Sequence, residues 1–182
     1  MNTWKYVWDD QDNYTRFENE IGSVTLYEYD NRGNVLQETD CLGNSNSYTY
    51  SHELNRVLSV KDKNGHTTNH TYDTKGNLLQ TRDPLGNTIV FFYDTFGNLT
   101  STTDRNGNTS QFIVNAHGYR TQITGPLGFI EKYTYDHLGN LLSKENAFGQ
   151  VTQFEFDAKN RMIRHTDALG QTKTYSYDPN DN

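Results

Sequence analysis

Three groups of residues in this 182-residue chain are of types that do chemistry. The first is the recurring cluster of Asp, Asn and Gly, as in Asp83-Pro84-Leu85-Gly86-Asn87, which supplies the oxygen donors that calcium uses. A calcium site needs six to eight oxygens converging at about 2.3–2.6 Å. Each cluster here offers one main carboxylate, and clusters along one edge of a sheet would stand two strands, roughly 10 Å, apart. Turn formation accounts for them better than metal. The second group is the histidines, His52, His66, His70, His117, His137 and His165. His66 and His70 are four apart, a ligand spacing on a helix and an unremarked one in a strand. Ser, His and the single cysteine, Cys41, form no local nucleophile motif, and Cys41 fills a place taken elsewhere by Pro84, Ala147 or Ala168. No catalytic, metal or cofactor site is expected, and the chain reads as a non-enzyme. The third group is the aromatics, whose rings could stack on sugars, so a glycan is one possible partner.

The positions of these residues follow from a repeat. Anchored on the residue after each aromatic pair, it runs Asp9, Asp30, Ser51, Asp73, Asp94, Asn115, Asp136, Asp157, Asp178. The interval is twenty-one residues throughout, except for twenty-two between Ser51 and Asp73. A fixed period of this size marks an array of supersecondary units that are stable only when stacked. Each period carries two turn signals, for example Asp73 to Gly76 and then Asp83 to Gly86. Asp at the first place accepts a backbone hydrogen bond from two residues on, and Gly at the fourth takes φ > 0. The expected turn residues are Asp30, Gly33, Gly43, Asp73, Gly76, Asp83, Gly86, Asp94, Gly97, Gly107, Gly128, Asp136, Gly139, Gly149, Asp157 and Gly170. Asp12, Asn55, Asn160 and Asp181 stand where glycine is missing, as residues that tolerate the left-handed region. On φ alone, a β-branched residue at Gly86 should be costly and Asn at Gly139 mild.

Between turns the chain reads as strands of about six or seven residues, with no convincing helical period. Short turns force antiparallel hairpins, and hairpins in series give a meander. The expected architecture is an all-β, antiparallel hairpin ribbon. About sixteen strands at roughly 4.8 Å would span near 75 Å, a width at which a sheet twists and curls. Residues 1–26 form a degenerate first repeat and 27–182 one regular array.

Sixteen of the eighteen positions in the nine aromatic pairs are Tyr, Phe or Trp. Tyr27, Tyr29, Tyr48, Tyr50, Tyr72, Phe91, Tyr93, Phe112, Tyr133, Tyr135, Phe154, Phe156, Tyr175 and Tyr177 are expected to form one inner face, because alternate strand residues share a face. Burying a large apolar side chain is worth about 1.5–3 kcal/mol, which favours packing over a purely ligand-binding role. The return strands add Leu36, Leu58, Leu79, Leu142 and Ile163 at one place and Val35, Val57, Leu78, Leu99, Leu141 and Met162 at the one before, expected to interleave with the aromatics.

Only 32% of the chain is hydrophobic, low for a compact core but tolerable in an open sheet. A formal charge of −7 argues against nucleic acid or an anionic membrane as partner. Much of it is structural, since twelve of the fifteen Asp residues open a turn. One cysteine excludes an internal disulfide framework. No apolar run could span a bilayer as a helix, and the start carries no charged and apolar leader, so any export would need a different route or a signal on a longer parent chain.

The motif aromatic-x-aromatic-Asp-x-x-Gly-Asn, clearest at Tyr133-Thr134-Tyr135-Asp136-His137-Leu138-Gly139-Asn140, resembles the YD repeat of the Rhs family, also found in Tc toxin shell components and teneurins. The likeness runs from Tyr27 to Asp178, with a degenerate copy from Tyr6 to Ile21. It implies a curved segment of a β-shell, in bacterial members one that encloses a toxic C-terminal domain. The chain closes within a turn at 178–182 without a recognisable shell-closing, autoprotease or toxin segment, so a piece of a shell is expected. The implied partners are an enclosed toxin or cargo polypeptide and neighbouring repeats, with self-association through edge strands. The implied location is secreted or cell-surface, by a route without an N-terminal signal peptide in this chain, and otherwise cytoplasmic before export. The competing expectation is a cell-surface adhesion or carbohydrate-binding module.

Overall fold

A computed structural model describes residues 5–9, 14–19 and 21–178. Every element among them is a strand: β1 (Lys5–Asp9), β2 (Tyr14–Glu18), β3 (Val24–Tyr29), β4 (Val35–Thr39), β5 (Ser45–Tyr50), β6 (Val57–Lys61), β7 (Thr67–Tyr72), β8 (Leu78–Arg82) and β9 (Thr88–Tyr93). The series continues as β10 (Leu99–Thr103), β11 (Thr109–Val114), β12 (Arg120–Thr124), β13 (Ile130–Tyr135), β14 (Leu141–Glu145), β15 (Val151–Phe156), β16 (Met162–Thr166) and β17 (Thr172–Thr174). Each described pairing is antiparallel between sequence neighbours, so the fold is an all-β meander. The chain forms two compact units that divide between Val90 and Phe91.

The turns follow from their residues. At the first regular one, Asp30 N–H donates to Asn34 O at 2.9 Å and Gly33 N–H to Asp30 O at 3.1 Å. This is a three-residue hairpin loop, a type I turn closed by a left-handed residue. Gly33, Gly43, Gly76, Gly86, Gly97, Gly107, Gly128, Gly139, Gly149 and Gly170 lie at φ between 76° and 91°, and Asn55 and Asn160 at 52° and 63°. Asp12 and Asp181 fall outside the described residues. The irregular interval is explained by the turn and not the strands. Ser51 N–H donates to Arg56 O at 2.8 Å and Asn55 N–H to Ser51 O at 3.2 Å, so the extra residue enlarges the loop. Tyr50 then pairs with Val57 as Tyr29 pairs with Val35.

Six hairpins closed after an aromatic pair share a register shift, which β1–β2, after Tyr6 and Trp8, lacks. Tyr29 faces Val35 while Glu28 faces Gln37, which leaves Leu36 as an extra residue, a β-bulge. The same shift recurs at Leu58, Leu79, Thr121, Leu142 and Ile163. The two rows of the return strand therefore do not interleave alike with the aromatics. Val35, Val57, Leu78, Leu141 and Met162 pair with the second aromatic, whereas Leu36, Leu58, Leu79 and Leu142 stay 36–38% exposed. The first row meets the aromatics as expected, while the second falls at the bulge, where only Ile163 of the five is half-buried.

Among the described residues none is buried, hydrophobic or polar. Within each unit a single layer has no second surface to press its apolar side chains against, so each is covered only by strand neighbours. This is how a chain so poor in hydrophobic residues forms regular structure: the stabilisation is spread along ladders, turns and half-buried rings.

Candidate functional site

The site with the most structure is the aromatic face of each unit. Tyr27 and Tyr29 on β3, Tyr48 and Tyr50 on β5, Tyr72 on β7, Phe91 and Tyr93 on β9, Phe112 on β11, Tyr133 and Tyr135 on β13, and Phe154 and Phe156 on β15 are all half-buried. The residues between them, Glu28, Thr49, Phe92, Ile113, Thr134 and Glu155, are exposed. Tyr175 and Tyr177 follow β17, and Tyr175 is 40% exposed. Alternation along each strand produces this two-sidedness.

The second tyrosine of a pair reaches back over the preceding hairpin. Tyr50 Oη donates to Val35 O, Tyr72 Oη to Val57 O and Tyr135 Oη to Arg120 O, each at 2.9 Å, and Tyr177 Oη donates to Met162 O at 2.6 Å. All four acceptors are the residue just before the bulged position. A bulge disrupts the local ladder, and a carbonyl beside it takes the tyrosine hydroxyl as a partner from the next repeat. Tyrosine here is both surface and fastener, a role that pattern alone did not reveal. Phe156 and Val114 occupy equivalent places without a hydroxyl.

Polar groups are set among the rings. Tyr27 Oη donates to Glu38 Oε1 at 3.4 Å, and burial followed by the Glu38 charge raises the Tyr27 hydroxyl above its ordinary value. Tyr133 Oη donates to Glu131 Oε2 at 2.5 Å, and burial together with that carboxylate pushes the Tyr133 pKa up to about 12. The Arg120 guanidinium stands 4.0 Å from the Phe112 ring centroid, Lys144 Nζ 5.8 Å from that of Tyr133, and the Arg161 guanidinium 4.5 Å from that of Tyr177. Such cation–ring contacts are attractive and stronger where water is displaced.

The expected turn carboxylates are committed to their own loops. Asp30 Oδ1 accepts from Arg32 N–H at 2.8 Å and Asn34 N–H at 2.9 Å, while Asp30 Oδ2 accepts from Asn34 Nδ2 at 2.8 Å. The fifth-place asparagine repeats this bond at Asn44, Asn77, Asn87, Asn98, Asn108 and Asn140. These asparagines were in plain view in the repeat, but only the folded loop shows their amides closing on Asp. The Asn amide, as the largest cause, holds Asp30, Asp40, Asp73, Asp94, Asp104 and Asp136 below the usual carboxylate range. Arg161 does so for Asp157, with Nε at 2.8 Å and Nη2 at 2.7 Å from Oδ2.

Asparagine also links successive turns. Asn34 Nδ2 donates to Asn55 Oδ1 at 2.6 Å, and Asn55 Nδ2 returns to Asn34 Oδ1 at 3.0 Å. Asn140 Nδ2 donates to Asn160 Oδ1 at 3.1 Å. The two left-handed asparagines thus do more than tolerate positive φ.

No convergence of ligands accompanies this. Among the described residues no group of three or more His, Cys, Asp or Glu could hold a metal ion. His66 faces Asp62 at 3.3 Å in its turn, and His70 faces Thr81 at 3.1 Å on the sheet. Cys41 is exposed in a turn. A cleft of about 480 Å³ between the turns at Asp94 and Asn115 is lined by residues that include Phe96 and His117, with Asp94 bonded within its own loop.

Comparison with known proteins places this arrangement. A family model described as RHS Repeat matches residues 29–68, 72–109, 93–130, 135–172 and 156–182. The crystal structure of TcdB2-TccC3-TEV is similar in fold at a TM-score of 0.56 and 15% identity, over 99% of this chain and 13% of that one. The crystal structure of TcdB2-TccC3 aligns at 0.47 and 19% identity, over 90% of this chain and 9% of that one. The chain thus spans about an eighth of the first of these structures. No match was found among curated proteins. With the repeat signature matched over most of its length, the chain belongs to the RHS repeat family.

Proposed function

We propose that this ribbon is a wall: a non-enzymatic segment of a β-shell that encloses and protects a toxin or other cargo polypeptide in bacterial secretion or competition. The observation that carries the reading is an aromatic face left half-buried in a single layer, in a chain of the RHS repeat family. Enclosure works by exclusion. A latched sheet keeps solvent and proteases from an unfolded guest, and its rings and hydroxyls offer the guest weak contacts without one fixed pocket. The same reading gives the protein a secreted or cell-surface location, with the guest and neighbouring repeats as partners.

The experiment mixes the chain with a reduced, permanently unfolded polypeptide and follows protease protection and light scattering. The expected result is protection that falls when Tyr133 and Tyr135 are replaced by Ser, and self-association of the free chain through its edge strands and aromatic face. Protection indifferent to those tyrosines, with a strictly monomeric chain that binds no hydrophobic dye, would overturn the reading. The terminal segments near Trp4 and Tyr177 are the expected contact points of that association, and Trp4 lies outside the described residues.

The exposed part of the same rings favours a second reading, a carbohydrate-binding surface for cell adhesion. Saturable binding of neutral oligosaccharides, abolished by Tyr133→Ala, would support it.

A further inference from the structure

In the second unit the charged strand residues divide unequally between the two faces. On the polar face they are matched: Lys132 Nζ lies 3.2 Å from Glu145 Oε1, and Arg164 Nη1 lies 3.3 Å from Glu155 Oε1. The aromatic face is different. Register places Arg120 opposite Val114, Glu131 opposite Ile123, Lys144 opposite Tyr133, and Lys173 opposite His165, which itself pairs with Phe154. Glu131 alone offsets Arg120, Lys144 and Lys173, and its ion pair is with Lys144 at 3.7 Å. The Arg120 guanidinium lies over Phe112, and its buried Nε has no hydrogen-bond acceptor among the described residues. The other repeats carry Val35, Val57, Leu78, Leu99, Leu141 and Met162 at the place of Arg120. A donor buried without an acceptor is costly, and an arginine fork is shaped for a carboxylate. In a chain of formal charge −7 this is a local cationic surplus, set on aromatic rings.

We infer that the aromatic face of the second unit takes an extended, acidic polypeptide segment, whose carboxylates pair with Arg120, Lys144 and Lys173 while its apolar side chains lie on the rings of Phe112, Tyr133 and Phe154. This rests on the reading of the ribbon as a cargo-holding wall and specifies the chemistry of what that wall holds. Charge complementarity chooses the occupant: a basic segment would meet like charges, and a neutral one would leave the cationic surplus without counter-charge. Arg120 is a binding residue in this scheme. Glu131 keeps Lys144 and the Tyr133 hydroxyl in place.

The test uses the full chain and three fluorescent dodecapeptides of alternating Glu and Tyr, Lys and Tyr, or Ser and Tyr, read by anisotropy. The acidic peptide should bind about tenfold more tightly than the serine peptide and the basic one more weakly, with the preference shrinking as salt rises. The Arg120→Gln, Lys144→Gln double variant should bring the acidic peptide to the serine level, at unchanged far-UV dichroism. Arg120→Lys, which keeps charge without the fork, should retain part of the preference. Lys132→Gln and Arg164→Gln, on the polar face, should change nothing. Equal binding of all three peptides would overturn the inference and leave the wall reading intact. Loss of the serine peptide with retention of the acidic one would support the inference and count against a wall for general guests. A preference that survives the double variant, or polygalacturonate bound as tightly as the acidic peptide, would also overturn it.

Discussion

Within each unit the turns alternate between two edges of the sheet, and the edges differ although their turn residues are nearly the same. On the edge that follows the aromatic pairs, the fifth residue of one turn leans on the fourth of the next. Asn34 bonds to Asn55, Asn140 bonds to Asn160, Asn98 Oδ1 lies 3.1 Å from where a Cβ would stand on Gly118, and Arg56 Nε lies 3.5 Å from the equivalent point on Gly76. On the other edge nothing lies within 4 Å of that point at Gly43, Gly107, Gly128, Gly149 or Gly170. The fifth residues there, such as Asn44 and Asn108, are of the same kinds. What remains to separate the edges is the bulge beside the aromatic-edge turns that follow Tyr29, Tyr50, Tyr72, Val114, Tyr135 and Phe156, which bends the strand and strengthens its twist. Identical turn chemistry is thus coupled or solitary according to its flanking register. The solitary edge presents more apolar tips, Leu42, Leu85, Leu127, Phe148 and Leu169 at 79–89% exposure, against Phe96 at 90% and Leu138 at 55% on the coupled edge.

The largest expected effect tests that contrast at two glycines. Gly139 sits at φ 91°, and a Cβ there would run into the Tyr119 hydroxyl and lie 2.7 Å from Tyr119 Cζ; Gly128 sits at φ 81° with open space. Gly139→Val should lose stability near the top of a range of about 1–3 kcal/mol and Gly128→Val near the bottom, with Gly86→Val between them. Asn, which φ alone makes mild, should be mild at Gly128 and clearly worse at Gly139. Thermal melts that rank the two positions equally would mean the edges are not distinct.

Next in size is the latch. Tyr135→Phe removes the donor to Arg120 O and should cost about 0.5–1.5 kcal/mol in denaturant melts. Phe156→Tyr should recover part of such a loss by reaching the carbonyl of Leu141 in the same way. No change in either variant would show that water serves the bulge carbonyl as well as tyrosine does.

A smaller, graded effect comes from acid. The folded pKa values of the turn aspartates are depressed, so their stabilisation is complete above the ordinary aspartate value of 3.8 and is lost as pH falls through the lower folded value. The turn at Asn146 has no carboxylate at its first position and accepts from Phe148 N–H and Gln150 N–H, each at 3.0 Å, through its amide oxygen. Amide NMR shifts of Gly43 should therefore titrate below pH 3.8 while those of Gly149 on the same edge stay flat. Parallel titration of both would place the effect outside the Asp carboxylates.

The smallest expected effect is none at all. Melts with calcium, zinc or chelator should coincide on both edges, because the turn carboxylates already accept from N–H groups of their own loops and, among the described residues, do not converge on one another. A stoichiometric, saturable heat in calorimetry would reverse that account.

The sequence by itself determined the class and the period of this protein. Asp30 with Gly33 dictates a type I turn and a left-handed closure, Tyr133-Thr134-Tyr135 dictates two unlike faces, and both are local consequences of backbone sterics and strand alternation. These can be read without knowing what lies next to what. The placement of the extra residue between Ser51 and Asp73 was undecidable from spacing alone, because a longer loop and a longer strand consume it equally. Only tertiary structure decided the rest. The bulge at Leu36 and its counterparts arises from pairing register, the Tyr50 bond to Val35 spans fifteen residues and two hairpins, and the Asn34 bond to Asn55 joins separate turns. Arg120 on the ring of Phe112 belongs to the same class. Each of these depends on which residue of one strand comes to lie beside which residue of another, and that is fixed by the folded sheet.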